Sequence, residues 1–275
     1  MTINCKGKLI ELSSPKVMGI LNVTPDSFYD GGKYKNESDI LNQVESILEY
    51  GATFIDIGGY SSRPDAEDVS IQKETERVVP VIELIIKHFP EILISVDTFR
   101  SEVAKKSIEA GGALVNDISA GHLDKNMLAT IGKLQVPYIM MHMRGNPKTM
   151  QQQTHYDDLV KEINFYFAER IVSAHAEKIN DIIIDPGFGF AKTLEQNFEL
   201  LNKMELLQII GKPVLAGMSR KSMIYKTLNT SSDNALNGTT ALNMVALQKG
   251  AKILRVHDVK EAMECVALYN QLTSN

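Results

Sequence analysis

Eight short apolar runs recur along the chain, and their spacing limits what it can fold into. They are "KVMGILN" (16–22), "TFIDIGG" (53–59), "ILISVDT" (92–98), "ALVNDIS" (113–119), "VPYIMMH" (136–142), "DIIIDPG" (181–187), "KPVLAGMS" (212–219) and "KILRVHD" (252–258). Each has the length of a parallel strand buried on both faces. Amphipathic helical patterns separate most of them. In 38–51, Leu41, Val44, Ile47 and Leu48 make one face, with Ser38 placed to cap the start and Gly51 to end the helix. In 157–178, Val160, Ile163, Phe167, Ile171 and Ala174 follow the spacing of a core-facing helix. The segment 70–89 is also helical in pattern, with Pro80 expected to kink or restart it. Val259, Met263 and Val266 begin a closing helix. Eight β–α units in 275 residues predict a single α/β domain, a (β/α)8 TIM barrel over about 16–272. The rival is an open doubly wound sheet, which usually carries a glycine-rich nucleotide loop after its first strand. Neither G-x-G-x-x-G nor G-x-x-x-x-G-K-[ST] occurs here.

Polar residues fall at or just past the C-terminal end of every run: Asn22, Asp56, Asp97, Asn116, His142, Asp185, Ser219, then Arg255 with His257. In a barrel those ends form one rim, where active sites are built. Any one of them could simply cap the following helix, but eight strands ending alike argue for a shared site. The rim sorts by charge. Asp97, Asn116, Asp117 and Asp185 supply acceptors for a donor-rich, guanidine-like heterocycle. "SRKS" (219–222) and "RVH" (255–257) supply cations where barrels often hold phosphate. Arg255 could equally neutralise a barrel carboxylate, His257 could be structural, and Lys221 could be solvated. His142 has no partner at zinc-ligand spacing.

A formal charge of −5 argues against a broad nucleic-acid surface. No run approaches the ~20 apolar residues of a membrane helix, and the first residues lack a signal-peptide core. Two cysteines, Cys5 and Cys265, make neither a disulfide framework nor a metal cluster. The expected location is the cytoplasm.

"GILNVTPDSFYDGG", "DIGGYSSRP", "SVDTFR", "VNDIS", "MHMRGNPKTMQ", "DPGFGFAKT", "GMSRKS" and "LRVHDV" resemble, in order, the signature segments of the dihydropteroate synthase family, from about residue 16 to residue 260. The resemblance implies a barrel, usually homodimeric. It would join 6-hydroxymethyl-7,8-dihydropterin diphosphate to para-aminobenzoate in folate biosynthesis, with sulfonamides competing for the aminobenzoate site. It also implies roles. Asp97, Asn116 and Asp185 would bind the pterin edge, and Lys221 its carbonyl and ring nitrogen. Ile118, Met140, Phe190 and Gly217 would wall the slot. Arg255 and His257, with Ser62 and Arg63, would grip the diphosphate. Phe28, Pro64 and Ser222 would border the aminobenzoate, and Asn22 would bind Mg²⁺. "NVTPDSFYDGG" (22–32) would then be a loop closing over both substrates, with Asp26 and Asp30 shaping it and Gly31 and Gly32 supplying its turn. One segment departs from the family pattern: in "GGYSSRPD" (58–65) Tyr60 stands where the family usually has Glu, Ser62 where it has Thr, and Asp65 in place of a glycine. Two rivals are a corrinoid-type pterin-binding methyltransferase domain and a non-catalytic pterin-binding paralogue. The first has no use for the aminobenzoate loop, and the second none for Asn22, Lys221, Arg255 and His257 together.

Overall fold

The computed structural model describes residues 1–23, 37–60 and 68–274, with Asn22 as backbone only. An antiparallel hairpin, β1 (Thr2–Cys5) and β2 (Lys8–Glu11), precedes eight parallel strands. These are β3 (Lys16–Asn22), β4 (Phe54–Gly58), β5 (Leu93–Asp97), β6 (Leu114–Asp117), β7 (Tyr138–Met141), β8 (Ile182–Asp185), β9 (Val214–Ala216) and β10 (Ala251–Val256). They close in chain order, β10 pairing with β3 through Arg255↔Met18. All eight predicted runs are strands of this barrel, so the chain is a (β/α)8 barrel and not an open sheet.

Around it lie α1 (Glu37–Glu49), α2 (Ile71–His88), α3 (Ser101–Glu109), α4 (Met127–Leu134), α5 (Leu159–Ala176), α6 (Leu194–Asn202), α7 (Ser222–Thr227), α8 (Leu236–Gln248) and α9 (Val259–Thr273). In α1 the buried residues are Ile40, Val44 and Ile47, and the helix already includes Ser38, which therefore does not cap it. Gly51, at φ +94°, sits just past its end as expected. Ser70 caps α2, its hydroxyl accepting from Lys73 N. Of the two outcomes expected at Pro80, a restart does not occur: α2 runs through it. Pro80 and Glu76, whose carbonyl loses its partner, are both exposed, so water can take the missing bond.

The barrel interior is layered. Met18, Phe54, Leu93, Leu114, Ile139, Ile183, Leu215 and Ile253, one residue from each strand, meet at the bottom, where Ile3, Cys5, Ile10 and Leu12 around the hairpin plug them. This plug had no signature in the periodicity of the first residues. Outward-facing residues such as Val17, Ile55, Ile94, Val115, Met140, Ile184 and Leu254 pack against the helices in a second core. Because side chains alternate along a strand, the inward face above the plug carries Asp56, Ser95, Asn116, Met141, Asp185, Gly217 and Arg255.

Candidate active site

The floor of the mouth is an ionic network. Arg255 donates from Nε to Asp56 Oδ2 (2.6 Å) and from Nη2 to Asp97 Oδ2 (2.9 Å). Asn116 Nδ2 donates to the same Asp56 oxygen at 3.1 Å. Two adjacent strands thus converge on the Arg255 guanidinium directly, and a third through Asp56. Burial raises the pKa of Asp97; Arg255 opposes this, while Asp56 adds to it. Burial alone would lower that of Arg255, yet the two carboxylates raise it above its ordinary value and hold it charged. Asp56 Oδ1 is buried and has no hydrogen-bond partner among the described residues.

Asp185 stands beside this network, accepting from Gly187 N at 2.8 Å. Burial raises its pKa, and Lys221 pulls against the rise. No side chain at Gly217 screens it: a Cβ there would lie 3.7 Å from Asp185 Oδ2. Lys221, just before α7, donates from Nζ to Phe188 O (2.6 Å) and sits 4.9 Å from the centre of the Phe190 ring. Burial lowers its pKa to about 8, with Asp185 opposing the fall. Ile118 and Phe190 belong to an apolar group with Met141, Met143 and Met150 that closes one side. His257 lies exposed at the outer rim. Its Nδ1 pairs with Ser219 Oγ (2.9 Å), and its backbone N–H donates to the same oxygen. Desolvation where it packs into the rim, then Arg255, lowers its pKa to about 4.

The structure therefore brings together Asp97, Asn116, Ile118, Asp185, Phe190, Gly217, Lys221 and Arg255, with His257 and half-buried Ser222 at the edge. It corrects others. Met140 does not wall the slot: it faces the helices, and the pleat turns Met141 inward instead. Asp117 also faces outward, accepting from Ser119 N, Ser119 Oγ, Gly121 N and Tyr138 Oη. It is the turn cap that the plainer reading allowed. His142 is buried away from the mouth, its Nδ1 3.1 Å from Lys192 Nζ. Arg220 makes a two-point ion pair with Asp258 (2.9 and 2.6 Å), which ties the last two rim loops together. The sequence places Asp56 on the rim but gives it no role in binding. The signal available was its position, two residues beyond an inward Phe54. Phe28, Ser62, Arg63, Pro64, Asp26, Asp30, Gly31, Gly32 and the Asn22 side chain lie outside the described residues.

Tyr60, where the family usually has Glu, meets Phe99 edge-on at 5.1 Å, and the Arg100 guanidinium lies 5.1 Å from both rings. Arg100 takes its carboxylate partner from Glu74, at 2.7 Å. The aromatic contacts thus dock the end of this strand without the missing acid.

Removing the shared guanidinium should expose the strain in the network. Arg255→Gln leaves Asp56 buried beside Asp97 with no counter-charge. Its unfolding free energy near neutral pH, from urea titration, should fall by about 3–5 kcal/mol. Adding Asp56→Asn to that variant should recover part of the loss. A fall under about 1 kcal/mol, as for a surface pair, would contradict this account.

Comparison with known proteins agrees with the geometry. The model of the pterin binding enzyme family matches residues 18–257. The dihydropteroate synthase of Escherichia coli K12 is 43% identical over 268 residues, covering 97% of this chain and 94% of the relative. The Yersinia pestis dihydropteroate synthase, solved in a sulfonamide drug complex, superposes with a TM-score of 0.95 at 42% identity over 100% of both chains. The Xanthomonas albilineans enzyme, solved with 4-aminobenzoic acid, gives 0.92 at 37% identity over 100% of this chain and 98% of that one. A mouth with an acceptor-rich floor and cationic edge, in a barrel that matches these proteins from end to end, assigns the chain to the dihydropteroate synthase family of pterin-binding enzymes.

Proposed function

We propose that the barrel mouth joins 6-hydroxymethyl-7,8-dihydropterin diphosphate to para-aminobenzoate, releasing diphosphate and 7,8-dihydropteroate, a transferase step of folate biosynthesis. The observation that carries this is the inward ring of Asp97, Asn116 and Asp185, bordered by Lys221 and Arg255, inside a barrel similar to dihydropteroate synthases along its whole length. A pterin edge is rich in N–H donors and demands carboxylate and amide acceptors; Asp185, Asn116 and Asp97 supply them. Lys221 answers the pterin carbonyl and ring nitrogen. Ile118, Phe190 and, in place of Met140, Met141 flank the flat ring.

Bond cleavage at the exocyclic methylene places positive charge on the dihydropterin, which a carboxylate held in a low-dielectric slot stabilises. Asp185 is the group so placed, fixed by Gly187 N. The reaction then needs no covalent nucleophile. Departing diphosphate meets Arg255 and His257 at the rim, where Ser62 and Arg63 would join them, and the aniline would attack from the side that Phe28, Pro64 and Ser222 would border. Asn22 would be the protein's ligand to Mg²⁺. The unpaired Asp56 Oδ1 on the strand beside Asn22 leaves acceptor capacity at that edge. Bound there, the ion would neutralise charge on the leaving group. Sulfonamides would compete for the aminobenzoate position.

The chain would act as a cytoplasmic homodimer. No described helix is long and apolar enough to cross a membrane, and Cys5 and Cys265 are free and buried. Exposed Phe165 and Val172 on α5 adjoin exposed Leu206 and Ile209 on the 3-10 helix Met204–Ile210. The two elements run side by side, Asn164 Nδ2 donating to Leu206 O and Lys212 Nζ lying 3.4 Å from His175 Nε2. Such a patch is what a second copy would cover. In sedimentation, Ile209→Asp should shift the protein to monomer; an unchanged dimer would remove this face from consideration.

Purified protein with both substrates and Mg²⁺ should form dihydropteroate and diphosphate in equal amounts, and Lys221→Ala should lower the rate by about 100-fold or more. Lys221 loses its charge as pH rises through about 8, so kcat/KM for the pterin should fall above that pH in wild type. The alkaline limb should vanish in Lys221→Ala. Pterin binding without product would refute the synthase reading. Deuterium at the methylene should give a secondary isotope effect clearly above unity; a value of one would exclude cleavage ahead of attack.

A further inference from the structure

One buried cation has no role in the chemistry above. Lys192 is 3% exposed and makes no ion pair among the described residues. Its Nζ donates to Gly187 O and Phe190 O, both at 3.0 Å, and lies 3.1 Å from His142 Nδ1. A lysine is an expensive way to fill apolar space, because an ammonium taken out of water without a counter-charge costs several kcal/mol. Burial accordingly draws its pKa down to about 7, against the pull of Asp185.

The turn it binds is unusual. Gly187, Gly189 and Ala191 are all left-handed, at φ +71°, +83° and +49°. For Ala191 this conformation is unfavourable, so the turn has to be held from outside. Every carbonyl from 187 to 191 is taken by a side chain: Gly187 and Phe190 by Lys192, Phe188 by Lys221, Gly189 by Gln151 and Ala191 by Tyr156. Lys192 alone holds two of the five. His142, its third partner, follows β7, donates its backbone N–H to Asp185 O at 2.8 Å, and is wedged edge-on against Tyr166. The same turn presents the Phe188 carbonyl and the Phe190 ring to Lys221, and its Gly187 N–H to Asp185.

We propose that Lys192 is a positioning residue for the pterin slot. By bridging Gly187 O, Phe190 O and His142 Nδ1 it fixes the 187–191 turn in the shape that holds Lys221, Phe190 and Asp185 in place. This rests on the reading that those three residues face the pterin.

The test uses Lys192→Met, His142→Asn, His142→Leu and, as a check on the pocket itself, Asp185→Asn. For each, folding is verified by circular dichroism, and KM and kcat are measured for both substrates. Calorimetry gives the Kd for dihydropterin diphosphate alone. Lys192→Met should raise the pterin KM and Kd by about tenfold, the scale of one or two lost hydrogen bonds, while the aminobenzoate KM stays within about twofold of wild type. His142→Asn keeps an acceptor near the Nδ1 position and should bind pterin almost normally, whereas His142→Leu should not. A lysine that only supports the fold would lower the melting temperature and leave the pterin Kd unchanged, and that result overturns the proposal. If Lys192→Met does not fold, His142→Leu decides: a normal pterin Kd overturns it. An unchanged Kd in Asp185→Asn would instead remove the pterin pocket reading on which the proposal stands.

Discussion

Closure of the barrel imposes alternation on every strand, and the rest of the molecule follows from it. A closed parallel sheet with helices outside has no solvated face, so each inward side chain must be packed or paired. The lowest inward layer is packed, eight strands contributing one apolar residue each around the hairpin plug. Above it most inward residues are polar. There pairing replaces packing, and Arg255 with two carboxylates and Asn116 carries the pairing. A buried ion cluster is seldom a gain in stability over apolar packing. Its presence at one end only marks that end as the functional one.

The same alternation explains which parts of the structure were legible. Strand positions and polar strand ends could be read because apolar runs and their punctuation are local features. Which neighbour in a run points inward could not, because both faces are buried and no polar–apolar alternation distinguishes them. Met140 and Met141 are chemically equivalent in the sequence, and only the pairing of Met141 with Asp185 across β7 and β8 gives the parity. Asn116 and Asp117 present the same ambiguity: one faces the mouth and the other caps a turn behind the sheet. An anchor was available in the plug residues, since counting two from Phe54 or Ile253 reaches Asp56 or Arg255. Using it requires knowing that the hairpin closes the bottom.

Longer-range contacts were hidden for a different reason. His142 and Lys192 are 50 residues apart, and nothing in either neighbourhood announces the other. The departure at Tyr60 was visible, but its consequence was not. Arg100 takes its carboxylate partner from Glu74 on α2, while Tyr60 meets Phe99 edge-on and the Arg100 guanidinium lies near its ring.

The donor count of Arg255 shows how one side chain can serve both open readings of it, neutralising the barrel and gripping diphosphate. A guanidinium has five N–H donors in a fixed fork, and the carboxylates take one on Nε and one on Nη2. Three remain, enough to meet a phosphate oxygen without releasing Asp56 or Asp97. Lysine could not do this, since its ammonium offers three donors at a single point. Arg255 therefore joins an inner, acceptor-rich layer suited to a pterin edge to an outer layer where His257 is aligned by Ser219. The two carboxylates keep the guanidinium charged while partly offsetting its field. In the proposed reaction, that offset keeps the developing pterin cation from facing an unbalanced positive charge as diphosphate departs.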